Sequence, residues 1–246
     1  MAKIGIVGLG EIGSAVKEVA VAAGVRVVEK EVDTNPIVLA EPEVTTLHVC
    51  IPFSEDFIRG VAECVHSNTQ TVFVHSTVPP GTCRELQESL GDAVDVIHAP
   101  VRGLHPNLAS GLLTFPMFLG ARNSKIAIDN STLITRLGIL PQVVNIWEES
   151  ELAKVLDTTY YGVCIAFHDY AAKLSDEVGA NFDNVMTEYN RSYNEGYTEL
   201  GKPEVVRPVL YPPQGAIGGH CVTPNAKLLE KTFGSHPLLK AILDLS

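Results

Sequence analysis

The chain has no cluster of lysine or arginine, no long apolar run and no paired cysteine motif, and each absence closes a class of function. Eighteen basic against 29 acidic residues leave a net charge of −11. With no basic patch, neither nucleic acid nor an anionic membrane surface is expected as a partner. No apolar stretch approaches the roughly 20 residues of a membrane-spanning helix. The start, Met1-Ala2-Lys3-Ile4, enters a strand at once instead of passing through the zones of a signal peptide. The five cysteines (50, 64, 83, 164 and 221) are odd in number and widely spaced, with no C-x-x-C pair. That suggests neither a disulfide framework nor a cysteine zinc site, and fits a reducing cytoplasm. Internal repeats and low-complexity segments are also lacking.

What is present describes a globular protein of one large or two modest domains: 246 residues, 46% hydrophobic and 19% charged. Residues 3–7 read as a buried strand, and Gly8-Leu9-Gly10-Glu11-Ile12-Gly13 follows directly. Ser14 to Ala23 continues with helical spacing, and a second strand begins at Val25 beyond Gly24. Strand, G-x-G-x-x-G, helix and strand in this order form a dinucleotide-binding fingerprint. The glycines at 8, 10 and 13 allow a tight turn, approach of a pyrophosphate and close helix–strand packing. The amides of the helix start, around Glu11 and Ile12, then face the phosphates. An acid near the end of the second strand should bond the adenosine ribose. Glu29, Glu31 and Asp33 are candidates; Glu31 is best placed, which favours NAD over NADP.

Beyond a short proline-interrupted passage (32–44), apolar strands and helical segments alternate. Strands are expected at 46–51, 71–75 and 94–99, with helices at 55–67 and 84–90. Two further strands, 115–120 and 142–147, flank a helix at 124–137 and should extend the sheet. This is the pattern of a doubly wound, mainly parallel α/β sheet of Rossmann type. Its ligands bind at the carboxyl edge of the strands, where Pro52, Ser76-Thr77 and Pro100-Val101-Arg102 fall. Arg102 there either pairs with a substrate carboxylate or phosphate or makes a structural salt bridge.

From Glu149 the composition shifts. Residues 150–178 hold no proline and one glycine, Gly162, with Ser150 as a suitable N-cap. A helix of nearly thirty residues spans roughly 45 Å and is expected to lie in a homodimer interface. A second helix over 181–200 is rich in tyrosine and asparagine, and a proline-rich passage (203–213) leads to Gly218-Gly219-His220-Cys221. Thr223 or Asn225 is placed to cap a helix running on through Leu228 and Leu229, with Pro224 in its first turn. A thiol held at such a helix start is either a nucleophile in a positive backbone field or a small buried hydrophobe. The expected division is a dinucleotide-binding domain at 1–147 and a smaller helical substrate and dimerisation domain at 148–246.

Three motifs stand in order behind the glycine turn: Ser76-Thr77-Val78-Pro79-Pro80-Gly81-Thr82, Ser150-Glu151-Leu152-Ala153-Lys154, and Gly218-Gly219-His220-Cys221. As a set they resemble the UDP-glucose/UDP-N-acetylmannosamine/GDP-mannose 6-dehydrogenase family, across nearly the whole chain. The resemblance implies oxidation of an alcohol to a carboxylate with two NAD molecules, through an enzyme-bound aldehyde. It makes Cys221 the nucleophile that forms a thiohemiacetal and then a thioester. Lys154 would stabilise the developing oxyanion, and Thr77 would lie beside the nicotinamide and help position water. Read from the residues alone, Lys154 is a solvated first-turn residue paired with Glu151 or Ser150.

The departures from that family are specific. Ala99-Pro100-Val101-Arg102-Gly103-Leu104-His105 lacks the family's glutamate after proline, and His105 stands near where a second family acid acts in thioester hydrolysis. Thr158 replaces an asparagine, Asn225 replaces an aspartate, and the third domain that completes the nucleotide-sugar pocket is expected to be missing beyond Ser246. Arg102, His105, Thr158 and Asn225 are therefore the candidate substrate residues, for a small polar substrate. Ala99-Pro100-Val101 also resembles the corresponding segment of β-hydroxyacid dehydrogenases, which use a lysine on the long helix and no cysteine. A third alternative is a non-catalytic protein that binds NAD or a nucleotide sugar. His48, His66, His75 and His98 show no metal-ligand spacing and read as core or surface residues, as do Cys50, Cys64, Cys83 and Cys164. No metal is expected.

Overall fold

A computed structural model describes residues 3–30, 43–217 and 221–246. It divides the chain into two compact units, Met1–Lys154 and Val155–Ser246.

The first unit is built on five parallel strands: β1 (Lys3–Val7), β2 (Arg26–Lys30), β3 (Val44–Val49), β4 (Thr71–Val74) and β5 (Asp95–His98), in the order β2-β1-β3-β4-β5. Strands β1 and β4 are buried along their whole length, as continuous apolar runs covered on both faces should be. On one face Ile4, Ile6, Phe73 and Ile97 pack with helix α1 (Glu11–Ala22), α4 (Leu108–Thr114) and α5 (Ser124–Thr135). On the other, Leu47, Val49, Val72 and Val74 pack with Phe57 and Val61 of α2 (Phe57–Ala62) and Leu86 of α3 (Thr82–Leu90). The chain leaves β1 to one side for β2 and returns on the other for β3, so the sheet's switch point lies between β1 and β3, beside the glycine turn.

Several boundaries differ from those read in the sequence. The two strands expected to extend the sheet, β6 (Met117–Leu119) and β7 (Pro141–Val143), form a separate parallel pair instead. They meet the main sheet at one antiparallel bridge, between His98 and Gly120. Ser150 does not cap the long helix. That helix, α6 (Trp147–Glu177), has 31 residues and starts three residues earlier, at Trp147, whose indole nitrogen donates to Val96 O at 2.8 Å.

The second unit continues α6 and adds a π-helical turn (Asp183–Thr187), α7 (Glu188–Glu199), α8 (Val222–Phe233) and α9 (Pro237–Leu243). Gly162 is what lets α8 and α9 close on α6. A Cβ there would lie 2.5 Å from Val222 Cγ1 and 3.0 Å from Ile242 Cδ1. The tyrosines and asparagines of α7 hold the proline-rich passage. Asn194 donates to Arg207 O and accepts from Arg207 N, and the Arg207 guanidinium lies 3.5 Å from the Tyr193 ring centroid. Among the described residues no helix is long and apolar enough to cross a membrane.

Candidate active site

The glycine turn after β1 is shaped by sterics. Gly8 adopts φ +86, a conformation that side chains disfavour, while its amide donates to Lys30 O at 2.8 Å. Gly13 has no room for a side chain: a Cβ would sit 1.8 Å from Gly8 O. Gly10 differs, because a Cβ built there meets nothing within 4 Å. Packing therefore explains the first and third glycines and leaves the second as an open face. Gly10 is also the N-cap residue of α1, and it has no side chain with which to cap that helix. Its first amides have no intrahelical acceptors and carry the positive end of a twelve-residue helix dipole. An open backbone face over uncapped amides fits a diphosphate.

The charged side chains around this turn are already engaged. Glu11 Oε2 lies 2.8 Å from His105 Nδ1. Glu29 pairs with Lys17 at 2.8 Å, and buried Lys30 donates to Cys64 Sγ at 3.2 Å. Glu31 and Asp33 lie outside the described residues.

Along the carboxyl edge of the sheet, the loops after β3, β4 and β5 are tied to one another and to the first turns of α6. Pro52 is exposed in the first loop, whose Ile51 O accepts a 2.5 Å hydrogen bond from buried Ser76 Oγ. Thr77, next in the chain, is half-buried. Glu151 does not pair with Lys154. Its carboxylate is fully buried and accepts from Gly81 N at 2.7 Å and Cys83 N at 2.8 Å, capping α3 from outside. Burial pushes its pKa up, against the two backbone hydrogen bonds that pull it down. Lys154 reaches the loop after β5, donating to Val101 O at 2.8 Å. Arg102 donates to Pro116 O at 2.7 Å, with its guanidinium over Phe115 and Phe118 at 5.5 and 4.9 Å.

Three buried histidines run beneath this edge. His75 Nδ1 stands 2.6 Å from Ala99 O and must donate, so its Nε2 accepts from His48 Nδ1 at 2.8 Å. His98 bridges Ser150 Oγ (2.8 Å) and Ser76 O (3.3 Å), joining the loop that carries Thr77 to the first turn of α6. Burial drives His75 down to about 4 and His98 to about 3, and lowers His48 well below its ordinary value. All three are neutral at pH 7. Among the described residues no three His, Cys, Asp or Glu side chains gather to hold a metal.

In the second unit Cys221 is half-buried at the N-cap position of α8; residues 218–220 are outside the described set. Thr223 and Asn225, read as caps, lie inside the helix. Asn225 is buried there and donates to Thr158 Oγ1 at 2.7 Å, so two separate departures from the family pattern meet in one hydrogen bond. The Thr223 hydroxyl is buried with no partner among the described residues. Of the candidate residues, Thr77, Arg102, His105 and Lys154 thus belong to the first unit, and Thr158, Cys221 and Asn225 to the second. The roles of Glu151 and His98 were missed from the sequence. The one available signal for Glu151 was an α3 start, Gly81, that supplies no cap of its own.

No family model matches the chain. It is 24% identical over 176 residues to a UDP-N-acetyl-D-mannosamine dehydrogenase of Methanococcus maripaludis, covering 71% of this chain and 38% of the relative. The enzyme of the same name from Methanocaldococcus jannaschii is 25% identical over 181 residues, covering 73% and 39%. The matched chain therefore spans less than half the length of these relatives. The UDP-D-ManNAc dehydrogenase of Pyrococcus horikoshii superposes with a TM-score of 0.76 at 20% identity, over 99% of this chain and 68% of that one. A 3-hydroxyisobutyrate dehydrogenase of Mycobacterium tuberculosis gives 0.70 at 16% identity, over 99% and 92%. In sequence over about seven-tenths of its length, and in fold over nearly all of it, the chain resembles the nucleotide-sugar 6-dehydrogenases.

Proposed function

We propose that the chain is an oxidoreductase that binds NAD at the glycine turn and oxidises an alcohol or aldehyde of a small polar substrate. The observation that carries this reading is Gly10, a glycine with no steric reason to be one, over an uncapped helix start at the sheet's switch point. An acid at position 31 favours the free ribose hydroxyl of NAD over the phosphate of NADP. Bound NAD would serve as the hydride acceptor. The chain's own residues would do the rest. Pro52, Ser76 and Thr77 line the carboxyl edge beside the turn, and Lys154 supplies a cation for a developing oxyanion. The Cys221 thiolate would add to an aldehyde carbon to give a thiohemiacetal, and loss of hydride from that carbon leaves a thioester. Water then releases the acid and regenerates the thiol.

Thr158 and Asn225 are both neutral and bonded to each other, so neither presents a carboxylate to activate that water. This favours a second reading, a single oxidation of the β-hydroxyacid dehydrogenase type in which Lys154 acts and Cys221 does not. A third, binding without turnover, would leave the cofactor unreduced. NADH formation across UDP-sugars and small hydroxy acids decides among them. Turnover abolished by Cys221→Ala supports the covalent scheme, turnover unchanged by it supports the single-step reading, and NAD binding with no reduction anywhere supports the third. We further propose a homodimer through α6, whose residues Leu156, Tyr160, Phe167, Tyr170 and Leu174 expose an apolar stripe. Light scattering on the wild type and on Tyr160→Glu checks it, and a monomer in both would exclude it.

A further inference from the structure

Glu11 is an acid in the wrong place for a phosphate site. It is the first residue of α1, immediately after the open Gly10, and its side chain is 59% exposed. A carboxylate in a first helical turn is attracted to the same unpaired amides that would hold a diphosphate. Left free, it would compete for those donors and repel the ligand. Yet it is turned toward the loop after β5, where His105 Nδ1 donates to Oε2 at 2.8 Å.

That loop is fixed independently of Glu11. Lys154 holds Val101 O, and Arg102 is clamped on Pro116 O. Gly111 of α4 packs so tightly under the loop that a Cβ would come within 2.6 Å of Arg102 O and Gly103 Cα. His105 thus follows directly on a tethered and tightly packed segment, residues 101–103. A half-exposed contact of this kind adds little to stability, so its consequence lies in where it puts the carboxylate.

We propose that His105 is a positioning residue for cofactor affinity: it draws the Glu11 carboxylate off the amides of the glycine turn and leaves them for the diphosphate of the dinucleotide. The inference rests on the reading of that turn as the dinucleotide site. A carboxylate restored to within several ångströms of a doubly charged diphosphate, in partly solvated surroundings, weakens binding by about tenfold.

The test is NADH titration, followed by fluorescence, of four proteins: wild type, His105→Ala, Glu11→Gln and the double variant. His105→Ala should bind about tenfold more weakly, Glu11→Gln at least as tightly as wild type, and the double variant like Glu11→Gln. The His105→Ala deficit should also shrink as salt is raised, which a loss of loop structure would not produce. An equal penalty for His105→Ala with and without Glu11 would overturn the proposal, as would no penalty at all. Failure of the wild type to bind either NADH or NADPH would remove the site itself, a result distinct from binding that ignores the pair.

Discussion

Alanine at position 13 and alanine at position 10 should fail in different ways, and the difference tests the turn. At Gly13 the new Cβ would stand 1.8 Å from Gly8 O, 2.9 Å from Gly8 C and 3.4 Å from Cys50 Cβ. Real Cβ atoms are not found closer than 3.0 Å, so the helix start and the strand end must separate. Both offending atoms of Gly8 are backbone, and no rotamer can relieve them. Overpacking of side chains typically costs about 1–3 kcal/mol. A clash of backbone on backbone, which also strains the Gly8 amide bonded to Lys30 O, should reach about 3 kcal/mol or more. That is a large share of a total stability of about 5–15 kcal/mol.

At Gly10 the backbone, φ −61 and ψ −166, is open to any residue, and the methyl would meet nothing. Alanine is a poorer helix cap than glycine but loses less chain entropy on folding. The two effects oppose each other, and stability should stay within about 1 kcal/mol of wild type. The methyl would, however, project into the space over the uncapped amides, and dinucleotide affinity should fall by about tenfold or more. Urea unfolding and NADH titration on both variants separate the cases. Gly13→Ala should lose stability and binding together, Gly10→Ala binding alone. A Gly10→Ala protein that binds NADH like wild type would refute the placement of the diphosphate on this face.

Stability should also fall on mild acidification. His75 and His98 are held neutral in the fold, with values near 4 and 3, whereas the unfolded chain protonates both near 6.5. The unfolded state therefore binds more protons below that value, and by pH 5 each site should have lost about 2 kcal/mol of stability. Urea midpoints unchanged between pH 7 and 5 would contradict this. Glu151→Gln keeps one acceptor for Gly81 N and Cys83 N and turns an amide group against the other, for a loss of about 2 kcal/mol seen in the same unfolding assay. Arg102→Ala removes a hydrogen bond and two ring contacts and should destabilise by about 1–2 kcal/mol in the same unfolding assay.

The parts of the fold that could be read in the sequence are those whose cause is local. The strand–glycine–helix turn is set by three residues within six positions, and the long helix by thirty residues without proline. Both were legible. What was not legible depends on partners far along the chain. Ser150 resembles an N-cap by its neighbours, but the helix begins before it, at Trp147, which is anchored to Val96 O, 51 residues away. Glu151 resembles a surface partner for Lys154, until α3 needs a cap that Gly81 cannot provide. Thr158 and Asn225 are the clearest case. Taken singly, each departs from the family pattern and looks like the loss of a catalytic group. They lie 67 residues apart and are bonded to each other, the carboxamide donating to the hydroxyl. An aspartate at position 225, buried there, could still accept from Thr158 but would bring a charge into a buried position. The neutral pair is therefore self-consistent, and the two changes form one substitution of chemistry rather than two separate losses. On the covalent reading proposed above, a neutral Asn225 bears on release of the acid from the thioester, the step after hydride has left, and not on the oxidation itself.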